Sequence, residues 1–216
     1  MNTIEKEIIG LRKSLLQMFL LVELQWEKGA NAILEYDQDT AEEISSSEKR
    51  INAQELKIDS ECENIIALHA PVAIDLRFIL TAFKINHSLE HIADIAESIS
   101  HYVAKNNVKY DKEILKKLNI PEMLEVFNSM MDDIINAFEN QDSKIAKKVF
   151  KKDLRLNQIN SLAPATISKY ILTYDKNMLL YMLSTIRKIE RAGDSLKKIG
   201  EEIIYHIEAN VVKHKK

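Results

Sequence analysis

Turn-forming residues are scarce in this chain, with four glycines and three prolines among 216 residues. A fold of many short strands needs such residues about every ten positions, so their scarcity disfavours a strand-rich architecture. The single cysteine, Cys62, excludes an intramolecular disulfide framework and suits a reducing compartment. No apolar run reaches the roughly 18 residues of a membrane span. The most apolar region, "MNTIEKEIIGLRKSLLQMFLLVELQW", is interrupted by Glu5, Glu7, Arg12, Lys13, Gln17 and Glu23. Signal-peptide layout is missing too, so a cytoplasmic protein without membrane insertion is expected. There is no basic excess: the formal charge is −3, which argues against nucleic-acid binding.

Several chemistries are missing as well. The chain has no Gly-rich phosphate loop and no zinc-type cysteine spacing. None of its six histidines has a glutamate three positions before it, which removes the Glu-x-x-His signature of di-iron and di-manganese bundles. His69, His87, His91, His101 and His206 read as helix-surface or turn residues, with His91 the one worth testing as a ligand. Cys62 lies one turn past Ile58 on an apolar stripe and reads as core.

What the chain does have is helical periodicity almost throughout, with 46% hydrophobic and 29% charged residues. Leu11, Leu15, Met18, Val22, Gly29 and Ile33 trace one stripe of a helix from Glu5 to about Glu35. After the polar break "YDQD" (Tyr36–Asp39), Ile44, Ile51, Ile58 and Ile65 recur by sevens up to about Leu68. The proline of "HAPVAID" suits the first turn of a third helix, ending near Ala104. "KNNVKYDKEILKKLNIP" is polar and Lys-rich and reads as a linker, with room for a short helix. Further helices are expected from about Glu122 to Glu139, Asp142 to Ile171 and Tyr174 to Val212, and the tail "KHKK" should fray.

The two halves superimpose in sequence. At an offset of 100, Asp75 falls on Asp175, Glu90 on Glu190 and Asp94 on Asp194. Further upstream an offset of 105 places Glu27 on Asp132, Glu48 on Asp153 and Asn52 on Asn157. The expected fold is therefore all-α, two tandem three-helix bundles related by an internal repeat. The first spans residues 1–106, a linker 107–120, and the second 121–216.

Carboxylates carry the chemical signal. Glu90 and Asp94, like Glu190 and Asp194, stand one turn apart, where like charges repel by a few tenths of a kcal/mol. Both pairs sit on the flank of an apolar stripe, which suits a surface cation held by oxygen ligands from adjacent helices. An up-down-up bundle puts Glu23, Glu27 and Glu48 at the level of Glu90, and gives the second unit Asp132 and Asp153. Asp75 lies about 22 Å from Glu90 along its helix and belongs elsewhere. Taken singly, each such acid is an ordinary solvated residue, and Asp75 and Asp175 near helix starts complement the helix dipole.

"IERAGD" and its copy "LEHIAD" resemble the E-R-x-G-D segment of the PhoU family, and "APVAIDLR" (Ala70–Arg77) resembles its P-V-A-x-D-L-R segment. The resemblance covers residues 8 to 210. It implies two tandem three-helix bundles, surface metal (iron, zinc or another divalent ion) at the E-x-x-x-D motifs, and no enzymatic activity. It further implies a negative regulator of phosphate homeostasis, an adaptor between a phosphate transporter ATPase subunit and a sensor histidine kinase. Asp75, Arg77 and Asp175 would help to form the partner surface. This chain departs from the family pattern at His91 and Ala93, and at Ser98 and Lys198, where Asn is usual. Lys198 would bring a positive charge close to the second carboxylate pair.

Two other readings stay open: a metal-free helical interaction protein whose acidic face meets a basic partner, and a metal-dependent enzyme built on the carboxylates. The enzyme lacks a nucleophile or general acid beside them. Exposed apolar residues on the helix flanks leave a homodimer open.

Overall fold

The structure is a computed structural model that describes residues 3–35, 38–106 and 110–211. Eight helices and no strand are found among these residues. The expected stripe of α1 (Thr3–Glu35) is buried along its length, from Leu11 to Ile33. On α2 (Gln38–His69), Ile44, Ile51, Ile58 and Ile65 are buried, because a seven-residue spacing returns each to nearly the same face. Tyr36 and Asp37, half of the expected break, lie outside the described residues.

α3 (Ala73–Asn106) starts later than the proline suggested. Pro71 lies buried in the turn, two positions before the helix. The turn is made instead by Ala70 and Ala73, with φ of 43° and 50°. Within the expected linker, residues 107–109 lie outside the described residues, but the remainder is not a solvated tether. Tyr110, Ile114, Leu115 and Leu118 are buried around the short α4 (Lys112–Lys117), whose N-terminus is capped by Asp111. α5 (Ile120–Asn140) follows, with proline at its start.

The long helix expected from Asp142 is divided at Lys147 into α6 (Ser143–Ala146) and α7 (Lys148–Tyr170). α8 (Lys176–Glu208) passes close to this break. A Cβ at Gly200 would stand 3.0 Å from Val149 Cγ2 and 3.5 Å from the Ala146 carbonyl oxygen. A side chain at this position would require Val149 to give by a few tenths of an ångström. The expected fraying tail, 213–216, lies outside the described residues.

Helices α1–α3 form one bundle and α5–α8 the other. Gln25–Ala93 and then Gly29 against Ala96 and Ser100 run in the same order along α1 and α3, making them parallel, while Gln25–Glu48 and Ser14–Glu61 make α2 antiparallel to α1. The bundles join through two antiparallel contacts. α3 meets α8 through the Lys84–Glu202 ion pair and the Lys188–Ser98 hydrogen bond. α1 meets α5 where Trp26 stacks on Phe127 at 3.7 Å and Phe19 packs against Phe138 at 5.4 Å. One continuous apolar core results, with α2 and α7 packed on helices of their own bundles.

Candidate functional site

In the first bundle the acids line the seam between α2 and α3. Positions 48, 55 and 59 share a flank of α2, and 87, 90, 94 and 97 share the facing flank of α3, because steps of three and four stay on one side of a helix. Ligand oxygens of Glu48, Asp94 and Glu97 lie within 4.8 Å of one another. Glu48 is only 7% exposed, and its Oε1 has no hydrogen-bond partner among the described residues. Its Oε2 accepts from Gln25 Nε2, which also donates to the Ala93 carbonyl at 3.2 Å. Burial, then the charges of Glu97, Asp94 and Glu55, hold the Glu48 carboxyl above its ordinary range, against the lowering effect of the Gln25 bond. Glu90 is pushed up to about 7, first by burial and then by Asp94 and Glu55. Farther along the seam, His87 Nδ1 lies 3.1 Å from Glu55 Oε1 and its Nε2 lies 3.8 Å from Asp59 Oδ2. Asn86 steadies Asp59 with a 2.8 Å bond.

Acids brought together in this way are costly, because each must be taken from water and then repels the others. An all-oxygen set with one imidazole at its end is the donor chemistry of hard and borderline divalent cations.

The second bundle is built to the same plan with different charges. Asp153 stands where Glu48 does, and is fully buried. Its Oδ2 accepts from Lys197 Nζ at 2.9 Å and from Asn157 Nδ2 at 3.2 Å. By the repeat offsets Lys197 replaces Glu97, Asn160 replaces Glu55 and Pro164 replaces Asp59. Glu190 is held above its ordinary range by burial, then by Asp194 and Asp153, while the Asn160 bond and Arg191 oppose the shift. Lys198, the cation expected to disturb this site, is exposed. Its neighbour Lys197 turns inward and neutralises Asp153.

A family model described as the PhoU domain matches residues 15–103 and again 120–203. The chain belongs to the PhoU family. It is 28% identical over 211 residues to the phosphate-specific transport system accessory protein PhoU homolog of Aquifex aeolicus, covering 97% of this chain and 95% of that one. It is 26% identical over 210 residues to the phosphate-specific transport system accessory protein PhoU of Escherichia coli, covering 96% and 86%. The crystal structure of PhoU from Pseudomonas aeruginosa superposes with a TM-score of 0.86 at 24% identity, covering 96% of this chain and all 100% of that one. The regulatory protein PhoU from Streptococcus pneumoniae gives 0.85 at 24% identity, over 98% of this chain and 100% of that one. The all-α tandem-bundle architecture is thus the PhoU fold.

Within this PhoU chain the remaining sequence candidates fall in several places. Glu23 and Glu27 are at the expected level, but the side chain facing Glu48 is Gln25, about 200° round the helix from either. The Glu23 pKa is raised instead by burial, then by the charges of Glu27 and of Asp132 on α5. Asp132 therefore belongs to the α1–α5 contact and is not drawn to Asp153. Asp175 caps α8, accepting from the Met178 amide at 2.9 Å. Asp75 sits in the first turn of α3, and Arg77 is half-buried, its Nε without a partner among the described residues. His91 lies by Arg191; burial, then that charge, lower its pKa, while Asp94 opposes them. Cys62 is buried, and burial pushes its thiol up to about 12, as befits a core residue.

Sequence reasoning missed Glu55, Asp59, His87 and Glu97 as members of the seam, and Gln25 as its brace. The signal was present, since these acids and His87 continue the three-and-four spacing from Glu48 and Glu90. No helix among the described residues is long and apolar enough to cross a membrane.

Proposed function

We propose that this PhoU protein is an accessory component of a phosphate transport system, non-enzymatic, with a divalent cation held by the α2–α3 seam of its first bundle. The supporting observation is Glu48, a nearly buried carboxylate with one unpartnered oxygen, facing Asp94 and Glu97. The relatives named above are accessory proteins of phosphate transport. Glu48, Glu90, Asp94 and Glu97 would hold the metal, supplying oxygen ligands to iron, zinc or another divalent ion. The bound cation would relieve repulsion among the acids and complete a surface of α2 and α3. In the second bundle Lys197 already supplies the positive charge, so Glu190, Asp194 and Asp153 do not fit a metal. The protein would act in the cytoplasm by docking on a transporter ATPase subunit and a sensor kinase, restraining uptake and signalling when phosphate is plentiful.

Elemental analysis of protein purified without chelator tests the metal. Metal retained by the wild type, lost in Glu48→Gln with Asp94→Asn and kept in Glu190→Gln with Asp194→Asn, supports the reading. Metal-free wild type, or loss only with the second pair, sinks it. Co-purification with the transporter ATPase subunit from phosphate-rich and phosphate-starved cells tests the adaptor role, which fails if neither condition yields a complex.

A further inference from the structure

A second charged cluster lies where the two bundles meet, far from the acidic seam in both composition and sign. Arg12 of α1, Thr81 of α3, Phe138 and Gln141 at the end of α5, and Ile203 and His206 of α8 line a crevice there. With its open mouth the crevice measures about 220 Å3. Its enclosed part has room for about one water molecule, so a larger ligand would sit at the mouth.

Among the described residues, two polar atoms of the crevice lining have no hydrogen-bond partner, Thr81 Oγ1 and His206 Nδ1, and neither has Arg77 Nε, beside the lining on α3. Thr81 is only 1% exposed. Arg77 precedes Thr81 by one turn on the same face of α3. The Arg12 guanidinium is held between two rings, 4.7 Å from the Phe78 centroid and 5.3 Å from that of Phe138. It donates one long bond, 3.4 Å, to the Phe138 carbonyl. No ion pair among the described residues joins either guanidinium to a carboxylate. His206 packs on Phe78 with centroids 5.2 Å apart. Burial, Arg12 and Arg77, in that order, push its pKa down to about 4, leaving a neutral imidazole with one N–H to offer.

We propose that this crevice between the repeats binds a small tetrahedral oxyanion of the phosphate class, with Arg12 and Arg77 supplying charge and Thr81 and His206 supplying hydrogen bonds. Two guanidiniums without acid partners, beside buried donors with unused capacity, match such an anion in charge and in bonding. Partial burial strengthens the attraction relative to a surface pair. Because the ligand would touch α1, α3 and α8 together, it would tie the two bundles to each other. The claim does not depend on the metal seam.

The test is calorimetric titration of the full chain with inorganic phosphate at constant ionic strength. Chelator is present throughout, so that phosphate held by a metal contributes nothing. Saturable binding is expected, weakened about tenfold or more by Arg77→Gln and about threefold or more by Thr81→Val. Lys84→Gln, on the surface of α3, should bind like the wild type. Glycerol phosphate distinguishes the sources: equal or tighter binding points to a phosphate ester, and much weaker binding to the free ion. Melting temperatures confirm that each variant is folded, and Thr81→Val keeps the test valid if Arg77→Gln unfolds. The imidazole resonance of His206 should move on titration. The proposal is overturned by absence of saturable binding, or by unchanged binding in folded Arg77→Gln and Thr81→Val proteins, which would leave the crevice to an ordinary buried water.

Discussion

Lys197 shows how much one side chain decides. Its ammonium lies 2.9 Å from Asp153, a carboxylate with no solvent exposure, at the place where the first bundle has Glu97. Replacing Lys197 by Gln would leave a buried charge without its partner. Breaking a buried pair costs about 3–5 kcal/mol, and because Lys197 is itself about a third exposed the expected loss is near 2 kcal/mol. Urea unfolding should show that loss, and Asp153→Asn added to Lys197→Gln should recover much of it. If Lys197→Gln is as stable as the wild type, the pair does not hold the site together. Glu90 gives a pH signature. Its folded pKa is raised to about 7, above the ordinary glutamate value, so the folded state holds a proton that the unfolded state has lost. Its contribution is therefore fully present below the unfolded value and is lost as pH rises through about 7. In chelator, the difference in urea midpoint between wild type and Glu90→Gln should grow in favour of the variant from pH 5 to pH 8. A difference independent of pH would show that Glu90 is not perturbed. With metal bound, the carboxylate is held ionised and this pH dependence should shrink.

Helices were the most legible level of this chain. Strict spacing of Ile44, Ile51, Ile58 and Ile65 makes one face apolar, and burying that face is what stabilises so long a helix. Boundaries were less legible, for reasons visible at the α2–α3 turn. A proline near a helix start is compatible with the first turn or with the turn before it, and here Pro71 lies in the turn. The chain reverses there through two alanines in the left-handed region, which costs an L-residue roughly 1–2 kcal/mol each. Glycine avoids most of that cost but loses more entropy on folding. Ala70→Gly and Ala73→Gly should each stabilise the protein by about 0.5 kcal/mol, read from thermal or urea unfolding. Destabilisation by either change would mean that the methyl group's packing outweighs the backbone strain. The segment expected to link the units does hold a short helix. Its lysines made it look solvated, whereas Ile114, Leu115 and Leu118 use helical spacing to reach the core.

For the whole molecule, the decisive contacts are those between bundles. Trp26, the chain's single tryptophan, stacks on Phe127 across the α1–α5 contact, and the apolar core runs through both bundles. Unfolding should therefore be cooperative for the entire chain. Tryptophan fluorescence and far-ultraviolet circular dichroism should give coincident urea transitions. Two separated transitions would show that the bundles are stable independently.

The sequence by itself determined that the chain is helical, that it is built from two copies of one unit, and that carboxylates recur at matching levels of the copies. Periodicity and internal matches are one-dimensional properties, and they carry this information directly. Which acids face one another was decided only by tertiary structure. Level along a helix follows from rise per residue, but face depends on how each helix is rotated against its neighbours. That rotation brought Gln25 rather than Glu23 against Glu48, sent Asp132 to the α1–α5 contact, and turned Lys197 rather than Lys198 inward. It also assembled Arg12, Arg77, Thr81 and His206 from three helices of two repeats, a juxtaposition that no spacing along the chain encodes.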